Sequence, residues 1–169
     1  MEIFDAILKR RSIRKYKDTN VPEEIIEKIL KAGMAAPSAH NEQPWQFVVV
    51  DDKKTLEKSS KISPYSGMAK DAPLAILVCG DMDFLKTEGF WPQDLAAAVE
   101  NMLLAVTDFG LGAVWTGIYP RDELVAGHKK LLGLPENVIP FALVVIGYPD
   151  IEIDRQDRFK KERIHYNKW

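Results

Sequence analysis

A single cysteine, Cys79, leaves the chain without an internal disulfide and without a cysteine-rich zinc site. It lies in the apolar run LAILVCGD and reads as a small buried hydrophobe. No stretch approaches the ~20 consecutive apolar residues of a membrane span. The opening MEIFDAILKR lacks the order of a secretory leader, because Asp5 interrupts the apolar residues and the basic residues follow them. A soluble, cytoplasmic protein is expected. Excess basic charge is missing too: the formal net charge is −2 and the pI about 6.0, which does not suit a dedicated nucleic-acid-binding domain. Self-sufficient catalytic signatures are absent, with no HExxH, no Walker A loop and no GxSxG elbow. Gly110-Leu111-Gly112 lacks a third glycine and runs into an apparent strand, which is the wrong setting for a dinucleotide turn. The histidines, His40, His128 and His165, stand far apart, and His128, beside two lysines, is expected on a solvated helix face. No metal site is expected.

What remains is the make-up of one globular domain spanning 1–169, since 46% hydrophobic and 28% charged residues in 169 are enough to close a core. Ile3, Phe4, Ile7 and Leu8 make an apolar stripe on a short opening helix. VPEEIIEKILKAGMAA starts with proline and two glutamates, a favoured first helical turn, and buries Ile25, Ile26, Ile29 and Leu30. WQFVVVDD, LAILVCGD, GAVWTGIY and VIPFALVVIGYP read as strands. KTLEKSSKI, QDLAAAVENMLLAVTDFG and RDELVAGHKKLLG read as helices, the second apolar around most of its circumference and suited to burial against a sheet and a partner chain. The last 20 residues are polar, yet Ile151, Ile153, Phe159, Ile164, Tyr166 and Trp169 give them something to dock with. Helices and few strands in mixed order indicate an α+β or α/β domain in three layers.

KRRSIRKYK, residues 9–17, gathers six of the 23 Lys and Arg with no acid among them. As an extended segment it places Arg10, Ser12 and Arg14 on one side and Arg11, Ile13 and Lys15 on the other. Two guanidiniums and a hydroxyl on one side can hold a phosphate through charge-assisted bonds. A solvated basic face is the plain alternative, and the run alone does not separate them. A second constellation, AAPSAHNEQPWQF at 35–47, ends a helix in a rigid turn offering backbone amides with Ser38, Asn41 and Gln43.

Together, R-R-S-x-R and A-P-S-x-x-N-x-Q-P-W-x-F resemble the FMN-dependent nitroreductase family. The match continues through KDAP at 70–73, Asp94, Ala98 and Asn101 in NMLLA, GLGAVWTG at 110–117, and a tail with Arg158, Phe159, Glu162, His165, Tyr166 and Trp169. The resemblance implies a three-layer α+β fold whose central, mostly antiparallel sheet is flanked by helices. It also implies an obligate homodimer with tightly bound FMN at the interface and residues 150–169 extending onto the partner. Arg10, Ser12 and a tail arginine, Arg158 or else Arg155, would meet the phosphate, with Arg11 in the same cofactor-binding run. Arg14 and Lys70 would face the pyrimidine edge, where a cation favours the anionic reduced ring. Pro37, Ser38, Ala39, Asn41 and Gln43 would cover the ring from the other subunit. Trp115, Thr116 and Gly117 would run along its opposite edge, glycine allowing close approach of the main chain. Asn101 is divided between a structural hydrogen bond and a flavin contact. The chain is short for the family, so segments 60–71 and 81–93 must cover the pocket.

The resemblance implies no protein nucleophile, the chemistry residing on the flavin. The expected activity passes electrons from NADH or NADPH to a small acceptor such as a nitroaromatic, a quinone or a free flavin, both using one pocket in turn. A specialised flavin enzyme of this fold, dehalogenase-like or flavin-destroying, is an alternative, since fold does not fix function. A flavin-binding redox sensor with little turnover is another.

Overall fold

The computed structural model describes residues 2–152, 154 and 157–169. Five helices and four strands follow in the order α1 (Ile3–Lys9), α2 (Glu23–Met34), β1 (Trp45–Val50), α3 (Lys53–Ser59), β2 (Leu74–Asp81), α4 (Trp91–Asp108), β3 (Gly112–Gly117), α5 (Asp122–Leu132) and β4 (Val138–Gly147). Local chemistry sets several of these limits. Asp52 caps α3 by accepting the Thr55 N–H at 2.8 Å. Pro92 stands in the first turn of α4. Gly133, at φ 64°, takes the left-handed conformation that ends α5.

The strands lie in the order β1-β2-β4-β3, and every pair is antiparallel. β2 and β4 are central and buried along almost their whole length, which is why they read in sequence as unbroken apolar runs. The period of two sorts β2 between layers: Leu74, Ile76 and Val78 pack with α2 and α4, while Ala75, Leu77 and Cys79 pack with α3 and α5. The three-layer α+β architecture expected from the sequence is the one present.

One expectation is corrected. His128 is not solvated: it is 1% exposed, packed inward from α5, with Nδ1 2.8 Å from the Leu124 carbonyl. Lys129 and Lys130 flank it in sequence, but the residue four positions back, Leu124, shares its buried face. The expected helix α1 is present, and its apolar stripe is not covered within the chain: Ile3 is 73% and Phe4 67% exposed, and Ala6 is the buried residue of that helix. Ile153 and Arg155 lie outside the described residues.

The basic run is laid onto the outer edge of β3. Ile13 donates its N–H to the Ala113 carbonyl at 2.9 Å, and Ser12 bridges Ala113 in parallel register. Gly112 makes this possible, since a Cβ there would stand 2.6 Å from the Ile13 side chain. Alternation holds as far as Arg14: Ile13 is buried, with Ser12 and Arg14 exposed. It then breaks, because Lys15 is exposed and Tyr16 buried.

Candidate functional site

Where the basic run leaves β3, a cavity of about 510 Å³ opens between Arg14, the strand end Val114–Gly117 and the segment carrying Pro64, Tyr65, Gly67 and Met68. Four residues of the sequence reading therefore meet at one place: Arg14, Trp115, Thr116 and Gly117. Arg14 has no hydrogen-bond or ion-pair partner among the described residues, so its guanidinium is available to a ligand. Trp115 leans on Phe141 with ring centroids 5.6 Å apart. The Thr116 hydroxyl donates to the Leu143 carbonyl at 2.9 Å, so this residue offers main chain to the cavity rather than its side chain. At Gly117 a Cβ would meet no protein atom within 4 Å. β3 is an edge strand, and its outer main-chain groups beyond the Ser12 bridge face this opening.

Arg10 closes α1 with its side chain 21% exposed, its Nε 3.7 Å from Glu100 Oε1 on α4. Ser12 is exposed, and its hydroxyl has no hydrogen-bond partner among the described residues. Arg11 behaves differently from its neighbours. Its Nε donates to the Asp154 carbonyl at 3.1 Å and its Nη1 to the carbonyls of Leu8 and Arg10, so it braces the run and the start of the tail. Lys70 is exposed in the single helical turn Gly67–Asp71 and does not line the cavity, nor does Arg158, exposed on the tail.

The turn Pro37–Gln43 lies apart from this cavity. Three of its residues occupy the left-handed region, His40 at φ 50°, Asn41 at 55° and Gln43 at 51°. Such conformations are costly for side chains with a Cβ and persist only where surroundings impose them. Here the buried carboxylate of Asp94 accepts the Ala39 N–H at 2.9 Å, and the Ser38 hydroxyl accepts the Gln43 N–H at 3.0 Å. Buried Glu42 takes the N–H groups of Lys86 and Thr87 at 2.8 and 2.9 Å, tying the turn to segment 81–93. The amides of Ala39, Asn41, Glu42 and Gln43 are thus used within the fold and are not held open for a ligand. Asn101 donates to the Ala32 carbonyl at 3.1 Å, the structural half of its two readings.

Sequence reasoning missed Tyr65, Gly67 and Met68 as individual lining residues, although the irregular stretch SPYSG marks a loop with an aromatic at its tip. It also missed Glu42 and Asp94 as the groups that hold the turn. Burial pushes the Cys79 thiol up to about 12, against a small opposing effect of Lys129, and Cys79 lies in the core away from the cavity. Among the described residues no group of His, Cys, Asp or Glu could hold a metal ion, and no helix is long and apolar enough to cross a membrane. No cysteine, histidine or carboxylate lines the cavity. The arrangement can grip a planar group with an electron-rich edge, and such a group must bring its own reactivity.

The model of the nitroreductase family matches residues 7–66 and 62–148. A protein of Methanothermobacter thermautotrophicus, provisionally named NADH dehydrogenase/NAD(P)H nitroreductase, is 50% identical over 169 residues, covering 100% of this chain and 88% of that protein. An FMN-dependent nitroreductase of Clostridium difficile R20291 superposes with a TM-score of 0.91 at 31% identity, over 98% of this chain and 99% of its own. A provisionally assigned nitroreductase of Desulfovibrio desulfuricans, solved in complex with FMN, gives 0.86 at 32% identity over 100% and 98%. With the fold, the cavity at the β3 edge and a family match running through both, the chain belongs to the nitroreductase family.

Proposed function

We propose that the protein is an FMN-dependent oxidoreductase that draws electrons from NADH or NADPH and hands them to a small acceptor such as a nitroaromatic, a quinone or a free flavin. The observation that carries this reading is the cavity at the end of β3, where an unpartnered Arg14 faces an open strand edge at Trp115–Gly117. The residues fit the cofactor. Arg14 supplies a fixed positive charge for an electron-rich ring edge, the β3 main chain supplies donors and acceptors in a row, and Gly117 leaves room that any side chain would fill. Arg10 and Ser12, with Arg158 from the tail, would hold the phosphate, and Lys70 would add charge near Arg14. Bound FMN supplies hydride acceptance and electron return at N5. The chain's own part is to bind, orient and shield, with Tyr65 and Met68 as the walls against which donor and acceptor are placed in turn.

A second copy of the chain completes the site in this reading. Pro37, Ser38, Ala39, Asn41 and Gln43 do not reach the cavity of their own chain and would cover the ring bound by the other. The uncovered α1 face, Ile3, Phe4 and Ile7, and the exposed Phe159, Tyr166 and Trp169 of the tail are the apolar surface that such pairing removes from water. A groove of about 820 Å³ between α2 and β1, with Glu23, Glu24, Glu27 and Asp51 around Ile26, Leu30 and Val49, would complement in charge the end of the tail, where Arg158, Lys160, Lys161, Arg163 and Lys168 stand against Glu162 alone.

The test is direct. Purified protein should carry FMN, lose the flavin absorption when NADH or NADPH is added without oxygen, and regain it at the rate of turnover once an acceptor is supplied. A protein that binds no flavin at saturating FMN, or whose flavin keeps its colour with both nucleotides, contradicts the proposal.

A further inference from the structure

α1 packs on α4, and the contact brings one carboxylate up to the basic run. Glu100 Oε1 lies 3.7 Å from Arg10 Nε, beyond hydrogen-bond length but within the reach of charge attraction. Among the described residues it is the one carboxylate at ion-pair distance from any cation of the run Lys9–Lys17. The two Nη groups of Arg10 have no acceptor among the described residues, so the fork stays available to an anion while its charge is already partly offset. Glu100 is about half exposed, its side chain 48% accessible, and no hydrogen bond fixes it.

We propose that Glu100 is a built-in competitor for the flavin phosphate at Arg10, a specificity-determining residue that lowers the preference for phosphorylated over unphosphorylated flavin and keeps FMN exchangeable. The inference rests on the reading of Arg10 and Ser12 as the phosphate contacts. Two opposed effects have to be weighed. Glu100 helps to order Arg10, but a loose contact through Nε with a half-exposed acid is a weak constraint. Against it stands repulsion of a phosphate monoester, whose charge near neutrality is about −1.5 to −2, together with partial neutralisation of the cation that receives it. Repulsion wins, and it acts only on flavins that carry the phosphate. Arg14 and Lys70, assigned to the ring, are not paired with Glu100, so riboflavin is indifferent to it.

The experiment compares flavin-loaded wild type, Glu100→Gln, Glu100→Asp and Arg10→Ala, measuring flavin released on dilution by its fluorescence, once with FMN and once with riboflavin. Glu100→Gln should retain FMN about three- to tenfold more tightly at low salt, with the gain shrinking as salt rises. Riboflavin should be unaffected, and Glu100→Asp, which keeps the charge, should stay close to wild type. Arg10→Ala should loosen FMN at least about tenfold and leave riboflavin unchanged. If Arg10→Ala tests as expected but Glu100→Gln leaves FMN retention unchanged or weaker, Glu100 is not a competitor and the proposal alone is overturned. A parallel shift of riboflavin in Glu100→Gln overturns it as well, because the effect then travels through the fold. If Arg10→Ala is silent for FMN, the phosphate assignment itself is wrong and the proposal goes with it.

Discussion

His128 shows what burial does to a titratable side chain packed away from the β3 cavity. Burial lowers its pKa below the ordinary 6.5, with the bond to the Leu124 carbonyl opposing. Its Nε2 is buried with no protein partner. The folded chain therefore binds fewer protons at this residue than the unfolded chain in the interval between the lowered value and 6.5. Stability from this source is complete above 6.5 and declines as the pH falls through that interval. Urea midpoints at pH 7.5 and 5.5 should differ in wild type, and His128→Phe should shrink the difference; an equal difference in both proteins contradicts this. His128 was legible in principle, since Leu124 four residues earlier marks its face as buried. The two lysines after it outweighed that period. The basic run was readable because charge density without acids is a sequence property, and of Arg10, Ser12 and Arg14 it is Arg14 that lines the cavity. Tyr65 and Glu42 were not, because each acts only through what the fold lays beside it: strand β3 for one, the 86–87 amides for the other.

The junction of the basic run with β3 is the element on which the candidate site depends. Ile13 sits over Gly112, and the Ser12 bridge sets where Arg14 emerges toward the cavity. Gly112→Ala places a methyl 2.6 Å from Ile13 Cγ1 and 2.7 Å from its Cβ, so the run must lift off the strand. A cost of about 1–3 kcal/mol is expected from overpacking, measured by urea unfolding, with weaker flavin retention alongside. Ile13→Ala in the same background should recover part of the flavin retention, and a double-mutant cycle without coupling contradicts the contact. The four strands were legible for a physical reason: β2 and β4 are covered on both faces, β1 and β3 are bounded by turn formers, and each carries its own length of apolar or β-branched residues. The stripe on α1 was just as visible, but what covers it was not. Ile3, Phe4 and Ile7 are exposed in the single chain, and a sequence does not distinguish burial within a chain from burial between chains.

At the scale of the whole molecule the proposed site is one built by two chains. One copy holds a cavity with Arg14 and the β3 edge, and elsewhere a braced turn at Pro37–Gln43 whose left-handed residues are maintained at a cost by Asp94, Ser38 and Glu42. One copy also leaves large apolar side chains in water at both ends of the chain, Phe4 67%, Tyr166 82% and Trp169 100% exposed. The proposed shared site would join these facts: the turn of each copy would cover the flavin of the other, and the apolar helix and tail would be the surfaces that pair. Sedimentation equilibrium of the FMN-loaded protein at micromolar concentration, followed at the flavin absorption band, tests this most directly. The account predicts that the flavin sediments with a species of twice the 19.2 kDa chain mass, one flavin per chain. Flavin travelling at full stoichiometry with a 19.2 kDa species would contradict it.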